Sequence, residues 1–216
     1  MRGARVDNER MAGTRGGYSA ISSFSRVEVL HLIQSHPRRT VAELAEATGL
    51  HPNTVREHLA RLLDAGHIVR ETEHRMTRGR PRVLYSAATG QGESSSPIAR
   101  RKAREAAARG DLMRRVMPWT GVSAEDLGTD ATHQLDAIID HLGESGFDPL
   151  IDESALTIDL SPCPHATAQA NHRGTLCSVH LGIMQGVLTE AGGPLLVDGM
   201  RPSCNPEDCV VQLTTR

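Results

Sequence analysis

The stretch TVAELAEATGLHPNTVREHLARLLDAG, running from Thr40 to Gly66, decides the fold of the N-terminal part of this chain. Thr40 and Glu43 stand three residues apart, the spacing at which a hydroxyl and a carboxylate can cap a helix start reciprocally. Val41, Leu44 and Ala45 then give the apolar stripe of a short helix, and Gly49 supplies the residue that ends it. Pro52 stands where a first-turn proline is tolerated. Val55, Leu59, Leu62 and Leu63 recur at helical spacing until Gly66 stops the second helix. A short helix, a glycine turn and a second helix in this order predict a helix-turn-helix.

The flanks extend the motif. Upstream, Ser25 and Glu28 have capping-box spacing, and Val27, Val29, Leu30, Leu32 and Ile33 follow before Pro37. Downstream, Ile68, Val69 and Arg70 read as a strand. Residues 75–82 read as a polar loop around Gly79 and Pro81, and Val83, Leu84 and Tyr85 as the returning strand. Helix, helix-turn-helix and β-hairpin make a winged helix-turn-helix over residues 23–89, preceded by an Arg-, Gly- and Ser-rich arm at 1–22 expected to be disordered. Gly-Gln-Gly-Glu-Ser-Ser-Ser-Pro at 90–97 reads as a linker. Residues 98–128 are expected to hold a linking or dimerisation helix, with an apolar row including Ile98, Leu112, Val116 and Met117. Residues 129–216 are expected to form a smaller α+β sensor domain. It would hold a helix near 130–142, a strand through Leu156, Ile158 and Leu160, a helix over 177–188 and a final strand at 210–214. The predicted fold class is α+β.

The chemistry of the first domain follows from its geometry. In a helix-turn-helix the first helix braces a second, whose leading end enters a major groove. His51, Asn53, Thr54, Arg56 and Glu57 occupy that leading end. Asn53 and Thr54 can bond base edges or phosphates. Arg56 can take a guanine bidentately, worth roughly 1–3 kcal/mol of discrimination. In the wing, Arg75, Arg78, Arg80 and Arg82 crowd the tip that Gly79 opens, suited to phosphate or a narrow minor groove. An amphipathic helix pair alone is a common structural device. The capped helices, polar leading end and Arg-rich wing together favour double-stranded DNA as the partner, read by a homodimer so that two recognition helices meet two half-sites.

Charge is distributed to match. Residues 1–90 hold 14 arginines against nine acids, a balance of +5, whereas the remainder is at −7. A basic half points to a polyanion, and an acidic half would be repelled by it. No stretch approaches the length of an apolar membrane span, and no signal-peptide core is visible, so a cytoplasmic protein is expected. No Gly-rich phosphate loop, nucleophile elbow or metalloprotease motif supports an enzyme.

All four cysteines lie in the last quarter: Cys163, Cys177, Cys204 and Cys209. Scattered core cysteines would not cluster so. Thirteen, 26 and four residues separate them, with no C-x-x-C pair, which argues against a zinc ribbon or a thioredoxin-type motif. Long, unequal spacings suit a soft-metal site assembled from separate elements, holding zinc or an iron–sulfur cluster. Cys163 stands between two prolines at a strand end. Cys177 is expected to begin a helix, where the positive dipole end would favour its thiolate. His165, His172 and His180 are candidate additional ligands. Thiol sensing without metal and buried structural thiols are the competing readings.

Residues 25–87 resemble the winged helix-turn-helix of ArsR/MarR-like bacterial repressors. The tail resembles the C-terminal part of the iron–sulfur-sensing SufR-type regulators of that class. It reads Leu-Ser-Pro-Cys-Pro-His, then Leu-Cys-Ser-Val-His-Leu-Gly-Ile-Met-Gln-Gly-Val-Leu, then Pro-Glu-Asp-Cys-Val-Val-Gln-Leu. The resemblance implies a redox-labile cluster, usually 4Fe-4S, and repression of cluster-assembly or redox-response genes. Cys163, Cys177 and Cys209 match its pattern; Cys204 departs from it and is the natural fourth ligand here. Zinc remains the alternative metal.

Overall fold

The computed structural model describes residues 23–73, 81–117, 127–163, 166, 168, 170–201, 205 and 207–216. The expected arm at 1–22, the wing arginines Arg75, Arg78 and Arg80, and Cys204 and His165 lie outside them.

Three helices open the chain: α1 (Phe24–Ser35), α2 (Val41–Thr48) and α3 (Pro52–Ala65). The Thr40–Glu43 capping box forms in both directions, and Gly49 takes the left-handed conformation at φ 70°. Gly66 does the same at φ 81° after α3, where its N–H reaches back to the Leu62 and Leu63 carbonyls. The upstream capping box does not form. Ser23 occupies the cap of α1 without a side-chain bond, and the Ser25 hydroxyl instead meets His58 Nε2 at 3.0 Å. A tertiary hydrogen bond between α1 and α3 thus takes the group that local spacing assigned to a cap.

Strands β1 (Ile68–Thr72) and β2 (Val83–Ala87) pair antiparallel from Ile68 opposite Ala87 to Thr72 opposite Val83. Arg39 forms a separate antiparallel bridge to β2, exchanging both backbone hydrogen bonds with Tyr85, at 3.0 and 2.8 Å. The sheet is thereby tied to the approach to α2. Segment 90–97 is not a loose tether: Gly92–Ser94 form a 3-10 turn, and Ser96 caps helix α4 (Pro97–Val116) by accepting from the Ala99 N–H.

Helix α4 lies against α5 (Thr129–Glu144) through small residues, Ala103 and Ala106 meeting Ala137. Lys102–Glu144 at 2.7 Å, Arg109–Asp140 at 2.6 Å and Arg114–Asp136 at 2.8 Å run along this seam. Partly exposed pairs of this kind add little stability, so they set register more than they drive association. The far end of α4 leaves Leu112, Met113 and Val116 more than half exposed.

The C-terminal part contains β3 (Leu150–Asp152), β4 (Thr157–Asp159), α6 (Ala170–Ala191), β5 (Leu195–Met200) and β6 (Val210–Thr215). The strands form one antiparallel sheet in the order β3-β4-β6-β5. Strands β3 and β5 were not expected from the sequence. The first has three residues, and each takes its ladder partner from the next strand along the chain, β4 for β3 and β6 for β5. Helix α6 also begins earlier than periodicity places it, so Cys177 lies inside the helix and not at its start. Leu135, Ile138 and Leu142 of α5 and Met184 and Leu188 of α6 cover the sheet, with Ile158, Leu195, Val211 and Leu213 beneath them. The α+β class of the chain, a winged helix followed by helices on a sheet, agrees with its composition of elements.

Candidate functional site

Two surfaces carry the chemistry. The first is the leading end of α3. His51 caps the helix through Nδ1, which accepts the Asn53 N–H at 3.2 Å. Asn53 Oδ1 in turn accepts from Arg56 Nη1 at 2.7 Å. His51, Asn53, Arg56 and Glu57 are exposed and Thr54 is half-buried. Behind them Val55, Leu59 and Leu62 are buried in the core with Val27, Leu30 and Ile33 of α1. The apolar face therefore locks the helix, and the polar face at its start is presented outward.

The wing base joins that surface. The hairpin ladder extends to Glu73 N–H donating to the Arg82 carbonyl at 2.8 Å, which leaves the Arg82 side chain exposed. Arg82 and Arg56 line one groove of about 580 Å³ together with Thr40, Glu43 and Pro52. Glu43 is occupied by its cap: hydrogen bonds from Thr40 hold its carboxyl below the usual range. The two arginines are left as the cationic walls. A guanidinium on either side of a groove suits a phosphate backbone entering between helix and wing.

The second surface is the thiol centre. Backbone pairing of β4 with β6 continues past the strand ends. Leu160 N–H donates to the Cys209 carbonyl at 2.7 Å, Cys163 N–H to the Glu207 carbonyl at 2.9 Å, and Cys209 N–H to Ser161 Oγ at 3.0 Å. Those bonds hold the Cys163 and Cys209 segments side by side. The thiols of Cys163 and Cys209 hydrogen-bond each other, and this, with burial, pushes the Cys209 thiol far up. Cys177 on α6 approaches from the helix layer. Burial raises its thiol first and the Cys163 charge second, while Arg173 pulls the other way. Cys209 is buried and the other two are half-buried.

Three of the four cysteines named from the sequence thus lie within mutual electrostatic reach, brought from a strand end, a helix and a second strand start. The expected helix-dipole activation of Cys177 does not hold. Seven residues of α6 precede Cys177, and burial makes it a weaker acid. The His180 ring stacks on Phe147 at 4.7 Å, and that of His172 on Phe24 at 3.6 Å. Among the described residues, no three His, Cys, Asp or Glu side chains stand as a closed metal site.

His67, in the turn after α3, and His141, on α5, meet edge to face at 6.0 Å, and His180 lies 6.5 Å beyond His141. His67 and His141 line a small cavity where α3, α4, α5 and α6 meet. Burial, then the nearby Lys102 charge, lowers the His67 imidazole to about 4. Helical spacing alone could mark none of the three, since each lies on a different element.

A family model of winged helix-turn-helix DNA-binding domains matches residues 25–69. No curated protein and no solved structure gives a significant match to the chain. Among the described residues, no helix is long and apolar enough to cross a membrane. The family match and the exposed leading end of α3 agree: the chain carries a DNA-binding winged helix-turn-helix and is a DNA-binding transcriptional regulator, a role that points away from an enzyme.

Proposed function

We propose that this regulator is a homodimeric repressor whose operator affinity is set by an iron–sulfur cluster held on Cys163, Cys177 and Cys209, with Cys204 as the fourth ligand. The observation that carries the reading is the convergence of three thiols from three separate elements beside a DNA-binding domain. Their chemistry fits the group, because thiolates are the ligands iron–sulfur centres take. When bound, the cluster supplies a bond network sensitive to oxygen and reduction. The protein's part is to hold the Cys163 and Cys209 segments together by backbone pairing and to bring Cys177 in on a helix. The resemblance in the tail points to cluster-assembly or redox-response genes as the targets.

Dimerisation is assigned to the open end of α4, where Leu112, Met113 and Val116 form an exposed apolar patch. A second copy of this patch would cover it and bring two recognition helices to two half-sites.

Anaerobic isolation tests the proposal. The protein is expected to be coloured, to contain iron and acid-labile sulfide, to bleach in air, and to change its affinity for a selected DNA duplex as it does so. Cys163→Ser, Cys177→Ser or Cys209→Ser should each abolish the colour. A colourless protein with one zinc per chain and oxygen-indifferent DNA binding would replace the cluster by the structural-zinc reading.

A further inference from the structure

Helix α6 belongs to two cores at once. Val179 and Ile183 are buried in the winged-helix core, beside α1 and α3, whereas Met184 and Leu188 are fully buried in the core over the C-terminal sheet. The pattern follows from helix geometry. Cys177 and Met184 are seven residues apart, two turns, and so share a face. Val179 lies about 200° around the helix from Cys177 and presents the other face. From Cys177 to Ile183 the rise is only about 9 Å. One rigid element therefore reaches from the thiol centre into the packing behind the recognition helix.

Its register on the winged helix is tightly held. Gln34 Nε2 of α1 donates to the Val179 carbonyl at 3.2 Å. A Cβ on Gly186 would lie 2.5 Å from the Ala88 carbonyl oxygen, just past β2, and one on Gly182 would lie 2.6 Å from Gln34 Nε2. Farther along, the nearly buried Glu190 carboxylate accepts the Ser95 hydroxyl at 2.8 Å and the Ser96 N–H at 2.5 Å. Contacts this close leave little room for sliding at the winged-helix side without repacking.

We infer that α6 is the transmitting element of this protein: a displacement of Cys177 moves α6 as a rod, shifts α1 through Val179, Ile183 and Gln34, and so changes the presentation of α3. The inference rests on the reading that the thiol centre governs DNA binding. Packed interfaces of this kind switch between discrete arrangements and do not deform smoothly, which is how a small displacement at one end becomes a change of state at the other.

The test compares full-length protein reconstituted anaerobically with ferrous iron and sulfide against the same protein without the metal. The ratio of their dissociation constants for one selected duplex is the coupling, and couplings between sites typically run about 5- to 150-fold. Gly186→Ala drives a methyl into backbone that cannot yield. It should keep its iron and sulfide content yet bring the ratio to within about twofold of one, with loss of the cluster-dependent change in hydrogen exchange across residues 27–33. Gly182→Ala presses on the amide of Gln34 itself, the group that donates to the Val179 carbonyl, and should lower the ratio as Gln34→Ala does. Gln34→Ala removes the α1 contact without adding bulk and should lower the ratio at least about threefold, which keeps the test decisive if Gly186→Ala fails to fold. A wild-type ratio above about fivefold that persists in Gly186→Ala or Gln34→Ala overturns the α6 assignment and leaves cluster sensing intact. A wild-type ratio of one overturns both.

Discussion

Truncation of Arg56 to alanine isolates the DNA-reading claim, because Arg56 is exposed and its loss should leave folding nearly untouched, within about 0.5 kcal/mol. Its guanidinium is not free to wander: Nη1 donates to Asn53 Oδ1 at 2.7 Å, so the two side chains are presented as a unit at the leading end of α3. If that unit reads a guanine, Arg56→Ala should cost about 1–3 kcal/mol on a selected duplex, or about 5- to 150-fold in affinity. A random duplex should lose only one phosphate-scale contact and a small part of the salt slope. Asn53→Ala should lose affinity too, but the double variant should lose less than the sum, with a coupling of about 0.5 kcal/mol or more, because each residue positions the other. Anisotropy titrations of both duplexes at two salt concentrations, with thermal unfolding as the control, supply all the values. Equal losses on selected and random duplexes would refute base reading by Arg56. Strict additivity with Asn53 would refute the paired presentation.

Two further outcomes concern stability. Gln134 is buried between α5, α6 and β5, where it donates to the Leu188 and Leu195 carbonyls at 2.8 and 3.1 Å and accepts the Leu195 N–H at 2.7 Å. Gln134→Leu should cost about 2–4 kcal/mol in urea unfolding by leaving buried backbone groups unmatched, and a loss under about 1 kcal/mol would contradict that account. The lowered His67 imidazole makes an acid prediction. Its folded value is about 4 against an ordinary 6.5, so the unfolded chain takes up the proton first as pH falls. The stability that neutral His67 contributes is full above 6.5 and is lost on acidification toward 4, about 2–3 kcal/mol in all. Unfolding temperatures measured across that window should fall less steeply for His67→Asn; parallel profiles would remove His67 as the cause.

The legibility of the chain varied with the range of the forces involved. The Thr40–Glu43 cap, the glycine at 49, the proline at 52 and the apolar rows of α2 and α3 were readable because each depends on residues within one or two turns. The same local rule failed at Ser25, where His58 from another helix outcompetes Glu28 for the hydroxyl. It failed again at β3 and β5, whose short apolar runs become strands only when β4 and β6 supply ladder partners. The start of α6 was misplaced because burial on both faces blurs the periodicity that marks an amphipathic helix.

By itself the sequence determined the helix-turn-helix, the polar leading end of α3 and the concentration of thiols in one region, since caps, turns and composition are properties of neighbouring residues. Only the tertiary structure decided which thiols face one another, that Cys177 is a half-buried thiol inside a helix and not an activated one at a helix start, and that α6 spans both cores. Those outcomes depend on burial and hydrogen bonding between segments far apart in the chain. The free energy of such contacts is set by packing partners that no local window contains.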